Sequence, residues 1–175
     1  MATKKSNLIL NAETEPVVLN DGALEGGVSR NKTGTVELLT GELVPGQTVE
    51  LLDLPPNAVV RKITLYNDDL DSDGTPTLTA DVGLYTVDEN DLVVVADIDA
   101  YASAITTLQA VNTAGVEVQF EARDIDKIEK RVFEDAGLSA VPEDGLLRLV
   151  LTILAGAATA AAGTLSFNVQ YTVEA

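Results

Sequence analysis

Asp69-x-Asp71-x-Asp73, followed at once by Gly74, sets three carboxylates at alternate positions of a short stretch. Hard cations such as calcium take about six to eight oxygen ligands, and the front half of an EF-hand loop supplies them with this spacing. The twelfth position of such a loop is Ala80, where the bidentate glutamate belongs, and the flanks read as strands. Asp69, Asp71 and Asp73 are therefore weak calcium candidates. The competing reading is an acidic, solvated β-turn whose carboxylates folding does not need. Asp88-Glu89-Asn90-Asp91 is a second acidic turn with a weaker case still.

Carboxylates in pairs are enough for glycoside hydrolysis. A catalytic acid, though, needs an apolar pocket to raise its pKa, and most acids here fall in turns open to water. Platforms for a sugar ring are also few: the chain has three Phe, four Tyr and no Trp. It has no Cys and no His, so thiolate chemistry, disulfides and the commonest metal ligand and general base are missing. Gly22-x-x-x-Gly26-Gly27 lacks the lysine and the preceding buried strand of a phosphate loop. No catalytic residue and no cofactor are expected, and the chain does not read as an enzyme.

With 28 acidic against 11 basic residues the formal charge is −17. Phosphate backbones and anionic membranes call for clustered Lys and Arg, so neither nucleic acid nor a membrane surface is an expected partner. The uncharged run 149–173 is long enough to span a bilayer but has the wrong pattern. Leu165, Phe167, Val169, Tyr171 and Val173 alternate strictly with Ser166, Asn168, Gln170 and Thr172, the period of a half-buried strand. Leu147 to Ile153 alternates as well. Two strands are expected here, joined by the Ala/Gly/Thr loop 155–163 as a hairpin or a crossover between sheets. The first fifteen residues carry only a three-residue apolar run, which is not a secretory signal.

The length, 175 residues, suits one domain with a sizeable core. Residues 1–34 are polar and Gly-rich, broken by Leu8-Ile9-Leu10 and Val17-Val18-Leu19. They read as an extended N-terminal arm, either ordered on a partner surface or frayed. Residues 35–175 form the domain. Strands are expected at Thr35–Leu39, Gln47–Leu54, Val59–Tyr66, Thr77–Tyr85, Leu92–Ala96 and Val116–Phe120, in addition to the final two. Pro55-Pro56 and the acidic stretch 68–74 interrupt them. Asp99–Leu108 could form one or two helical turns capped by Asp99. Asp124–Ala136 carries Ile125, Ile128 and Val132 at helical spacing, with Asp124 placed to cap and Gly137 to terminate. About eight short strands with one or two helical insertions make an all-β sandwich of the jelly-roll or Greek-key kind.

Leu54-Pro55-Pro56-Asn57-Ala58-Val59-Val60, then Asp68 through Gly74-Thr75-Pro76-Thr77-Leu78 and on to Val82-Gly83-Leu84-Tyr85, resembles a recurrent pattern in structural proteins of tailed phages and prophages. Asp99-Ala100-Tyr101-Ala102-Ser103-Ala104 and the ending Ala162-Gly163-Thr164-Leu165-Ser166-Phe167-Asn168-Val169-Gln170-Tyr171 are similar to it too. The resemblance spans most of residues 47–173, and its motifs are structural. It implies a virion protein, made in the host cytoplasm and placed on the capsid surface. The role it favours is a head decoration, or cement, protein that binds the major capsid protein and its own copies, often as a trimer. An arm that adds a strand to a neighbour and a loop 155–163 small enough to pack at a junction both suit that role. The loop reads equally as an exposed tip. The alternatives are a tail-tube or head–tail connector component, and a receptor- or carbohydrate-binding β-sandwich of the fibre type.

Overall fold

The computed structural model describes residues 14–16, 18–19, 27–87, 93–142 and 145–173. Eight strands occupy most of them: β1 (Val28–Leu38), β2 (Thr48–Leu54), β3 (Val59–Asn67), β4 (Thr79–Val87), β5 (Val93–Ile105), β6 (Asn112–Glu117), β7 (Leu147–Ala155) and β8 (Gly163–Val173). They form two antiparallel four-stranded sheets, ordered β1-β8-β3-β6 and β2-β7-β4-β5. Four of the pairings join first to last, second to second-last, and so on inward. One long hairpin rolled around a barrel-like core produces that pattern, which is the eight-stranded jelly roll. The all-β sandwich expected from the alternation is the observed fold.

Alternation decides which side chains meet between the sheets. Tyr171, Val169 and Phe167 of β8 lie opposite Val60, Ile63 and Leu65 of β3 within one sheet, with Leu165 on the same inner face. Leu147, Leu149, Leu151 and Ile153 of β7 join Ala80, Val82 and Leu84 of β4 in the other. These side chains are almost wholly shielded from water. Each large aliphatic so buried contributes about 1.5–3 kcal/mol. The uncharged run near the C-terminus is thus two strands of the sandwich, one in each sheet. The loop between them is a crossover and makes no hairpin. Among the described residues no helix is long and apolar enough to cross a membrane.

Four elements differ from the sequence expectation. The first strand starts at Val28, so Val28–Gly34, assigned to the arm, pair with Phe167–Val173 of β8. Most of the remaining arm, including Leu8-Ile9-Leu10 and Val17, lies outside the described residues. The sixth strand is Asn112–Glu117, a few residues ahead of the expected Val116–Phe120.

Asp99–Leu108 is not a helix. Its first part belongs to β5, with Tyr101 and Ala102 fully buried and Ile105 nearly so, and only Thr107–Gln109 forms a 3-10 turn. Pairing with β4 prevails over a short helix whose Asp99 makes no cap. The pairing is irregular: Val82 faces Ala102 while Leu84 faces Asp97, so β5 carries extra residues against two steps of β4. The bulge brings the Asp97 and Ile98 carbonyls onto Gly83, where a Cβ would collide with both.

The helix expected at Asp124–Ala136 is broken. Ile125–Glu129 is a 3-10 turn, Lys130 is extended, and only Val132–Asp135 (α1) is helical. The Val132 and Phe133 amides, which a continuous helix would turn inward, donate to the Ala58 and Pro56 carbonyls at 2.8 and 3.1 Å. These tertiary bonds tie the insertion to the β2–β3 turn and leave Ile125 and Ile128 facing solvent.

Candidate functional site

Strand β3 ends at Asn67, and the acidic stretch follows as a connection towards β4. Asp71 lies buried within it, at 1% exposure. Its Oδ2 accepts the amides of Thr77 (2.7 Å), Leu78 (3.0 Å) and Ala158 (3.1 Å), and its Oδ1 accepts that of Thr159 (2.9 Å). Burial pulls the Asp71 carboxyl up, but the four amides outweigh it and hold it at about 2. Asp69 Oδ1 accepts the Asp71 amide at 3.2 Å. Asp73 takes the Thr75 amide and the Thr159 hydroxyl, each at 2.9 Å.

The trio expected as a calcium half-loop or a solvated turn is therefore divided among protein donors. Asp71 in particular is buried, which corrects the expectation of a solvated turn for that residue. Its partners on one side belong to the Ala/Gly loop that crosses between the sheets. The Ser72 amide bonds the Thr159 carbonyl and the Ala161 amide bonds the Leu70 carbonyl, so this loop is pinned along its length. Among the described residues no group of three or more acidic side chains stands where it could hold a metal ion.

A second buried cluster escaped sequence reasoning. The Arg123 guanidinium meets Asp135 at 3.0 Å through both Nε and Nη2, and the Tyr101 hydroxyl donates to Asp135 at 3.1 Å. Arg123 also lies over the rings of Tyr101 and Phe120 and donates to the Lys127 carbonyl at 2.6 Å. Burial pushes the Asp135 carboxyl up to about 6 even with Arg123 beside it. Both side chains of the ion pair are 1% exposed, so no substrate reaches them. The cluster braces the broken helical insertion against β5. Its sequence signal is no more than Arg123 flanked by Glu121 and Asp124.

The outer face of the β1-β8-β3-β6 sheet has a different character. The register puts Thr35, Ser166 and Tyr66 in one row across three strands, and Thr33, Asn168 and Thr64 in the next. Ser166 donates to the Thr35 hydroxyl at 3.2 Å. Two adjoining depressions, about 390 and 570 Å³, lie on this face and share Tyr66 and Ser166. The Tyr66 ring is half-buried and backed by the chain at Gly115, whose φ is +84° and where a Cβ would stand 2.6 Å from the ring. Asn67 adjoins the first depression. Its Nδ2 donates to the carbonyls of Asp68, Thr107 and Ala110, while its buried Oδ1 has no hydrogen-bond partner.

The other sheet carries the largely covered Arg148, which is bound to both Asp53 and Glu50. Val94, Val95 and Leu154, each about half exposed, lie on strands of the same sheet.

No known family model matches the chain, and no curated protein matches it. Solved structures share its fold. One is a chain of the cyanophage Pam1 capsid asymmetric unit, at 24% identity and a TM-score of 0.59, with 99% of both chains covered. Another is a chain of the capsid of Ralstonia phage GP4, at 23% identity and a TM-score of 0.64, covering 85% of this chain and 86% of that one.

Proposed function

We propose that the chain is a structural protein of a phage virion and decorates the outside of the capsid, held by contacts with the major capsid protein and with its own copies, as a trimer. The observation that carries this is the extent of the likeness to the chain of the Pam1 capsid asymmetric unit. The likeness takes in 99% of each chain, so the similar chain is of nearly equal length. The geometry supports a role without chemistry. The strongly perturbed carboxyls, Asp71 and Asp135, are sealed in bonds to their own protein and hold loops in place. The net charge of −17 suits a surface that must stay apart from nucleic acid and from other particles.

The test is location. Virions encoded alongside this chain are purified and their proteins identified by mass spectrometry, and the particle is reconstructed by cryo-electron microscopy. The expected result is density for the sandwich on the outer face of the head, in groups of three. Density confined to a tail tube or connector, or absence of the chain from the particle, refutes the proposal.

A further inference from the structure

We propose that the outer face of the β1-β8-β3-β6 sheet is a binding site for a neutral saccharide, seated on Tyr66 across the two adjoining depressions. The chemistry of the lining selects this ligand class. In a chain of net charge −17, the residues lining both depressions include one charged side chain, Asp68. No Lys or Arg is there to receive a phosphate or sulfate. A divalent cation would find a single carboxylate, and its Oδ2 already accepts the Thr164 amide at 2.9 Å.

Hydroxyl and amide groups around one aromatic face are the complement of a sugar ring, which offers C–H groups to the ring and hydroxyls that both donate and accept. The site is built in advance of any ligand. Gly115 backs the Tyr66 ring. Asn112 is fixed by bonds to the Gly115 amide at 3.0 Å and the Leu65 carbonyl at 3.1 Å. Each depression falls in the size range of small-ligand sites.

This inference stands apart from the capsid reading, because its test uses the purified chain alone. The full-length protein is labelled with nitrogen-15 and titrated with neutral hexasaccharides of glucose, mannose and N-acetylglucosamine, read by amide chemical shifts. At least one hexasaccharide should give saturable shifts at Thr35, Tyr66, Asn67, Thr113 and Ser166. Tyr66→Ala should weaken that binding about tenfold or more, and Tyr66→Trp should preserve it. Ser166→Arg, which fills the junction of the depressions without entering the core, should abolish it and guards against a Tyr66 variant that fails to fold. No saturable shift with any of these sugars overturns the proposal, as do shifts confined to another face or undiminished binding by Ser166→Arg. Loss of self-association in Ser166→Arg, with no sugar bound by the wild type, assigns the face to contacts between copies and overturns it as well.

Discussion

Replacing Asp71 by alanine removes the acceptor for four backbone amides at once. A hydrogen bond to a charged group contributes about 1.5–3 kcal/mol, so naive addition gives about 6–12. Water recovers part of that. Thr77, Ala158 and Thr159 are exposed, and their amides can be rehydrated at a net loss of about 1 kcal/mol each. Leu78 is fully buried, and its orphaned amide costs about 1–3 kcal/mol. The expected loss is therefore about 4–6 kcal/mol, a large share of the stability of a domain this size. Asparagine can keep its oxygen at the position that serves three amides, but its NH2 then faces the Thr159 amide, so Asp71→Asn should lose about half as much. The assay is urea denaturation at one fixed protein concentration, since self-association would shift the midpoint. A chelator should leave the wild-type midpoint unchanged, because the partners of this carboxylate are amides. If Asp71→Ala is within about 1 kcal/mol of wild type, the pinned loop contributes nothing and the reasoning is wrong.

Acid should act on the two buried carboxyls in opposite directions. The folded pKa of Asp71, about 2, lies below its ordinary 3.8, so its contribution is complete above pH 3.8 and is lost as pH falls towards 2; Asp71→Asn should flatten that limb of the stability curve. The folded pKa of Asp135 is raised to about 6, so the wild type should gain stability relative to Asp135→Asn as pH falls from neutral through 6, measured by the same denaturation. Gly83→Ala should cost about 2 kcal/mol or more and lower the melting temperature, because its methyl collides with the Asp97 and Ile98 carbonyls. Deleting residues 1–27 should leave all eight strands and a cooperative thermal transition, whereas deleting 1–34 removes most of β1 and should broaden or abolish it.

What the sequence made legible was whatever depends on neighbours a few residues away. The alternation from Leu165 to Val173 set β8 and its two faces correctly, because burial on one side of a strand imposes a period of two. It also placed Ser166 and Asn168 outward. It could not place Tyr66 and Thr35 beside Ser166, because that row depends on the register of three strands far apart in the chain. Asp71 read as a surface acid for the same reason. Two of its four donors, Ala158 and Thr159, lie almost ninety residues further on. The helix expected at 124–136 has good local credentials, and they were outbid by carbonyls at Pro56 and Ala58 that only the tertiary fold brings near. Arg123 and Asp135 form their pair across that break, whereas a continuous helix would set residues twelve apart about 18 Å from each other.

The rolled-hairpin order of the strands imposes a schedule on folding. Val28 pairs with Val173 and Leu38 with Gly163, so the strand that flanks β1 leaves the ribosome after the other seven. Until then β1 and β3 have no neighbour between them, since β8 separates the two. A growing chain therefore holds half-made sheets with open edges for the whole time it takes to synthesise the intervening residues. Pairings this distant in sequence also fold slowly once release has occurred. During that interval the excess of acidic over basic residues repels one unfinished chain from the next, which gives the acidity a use before any particle is assembled.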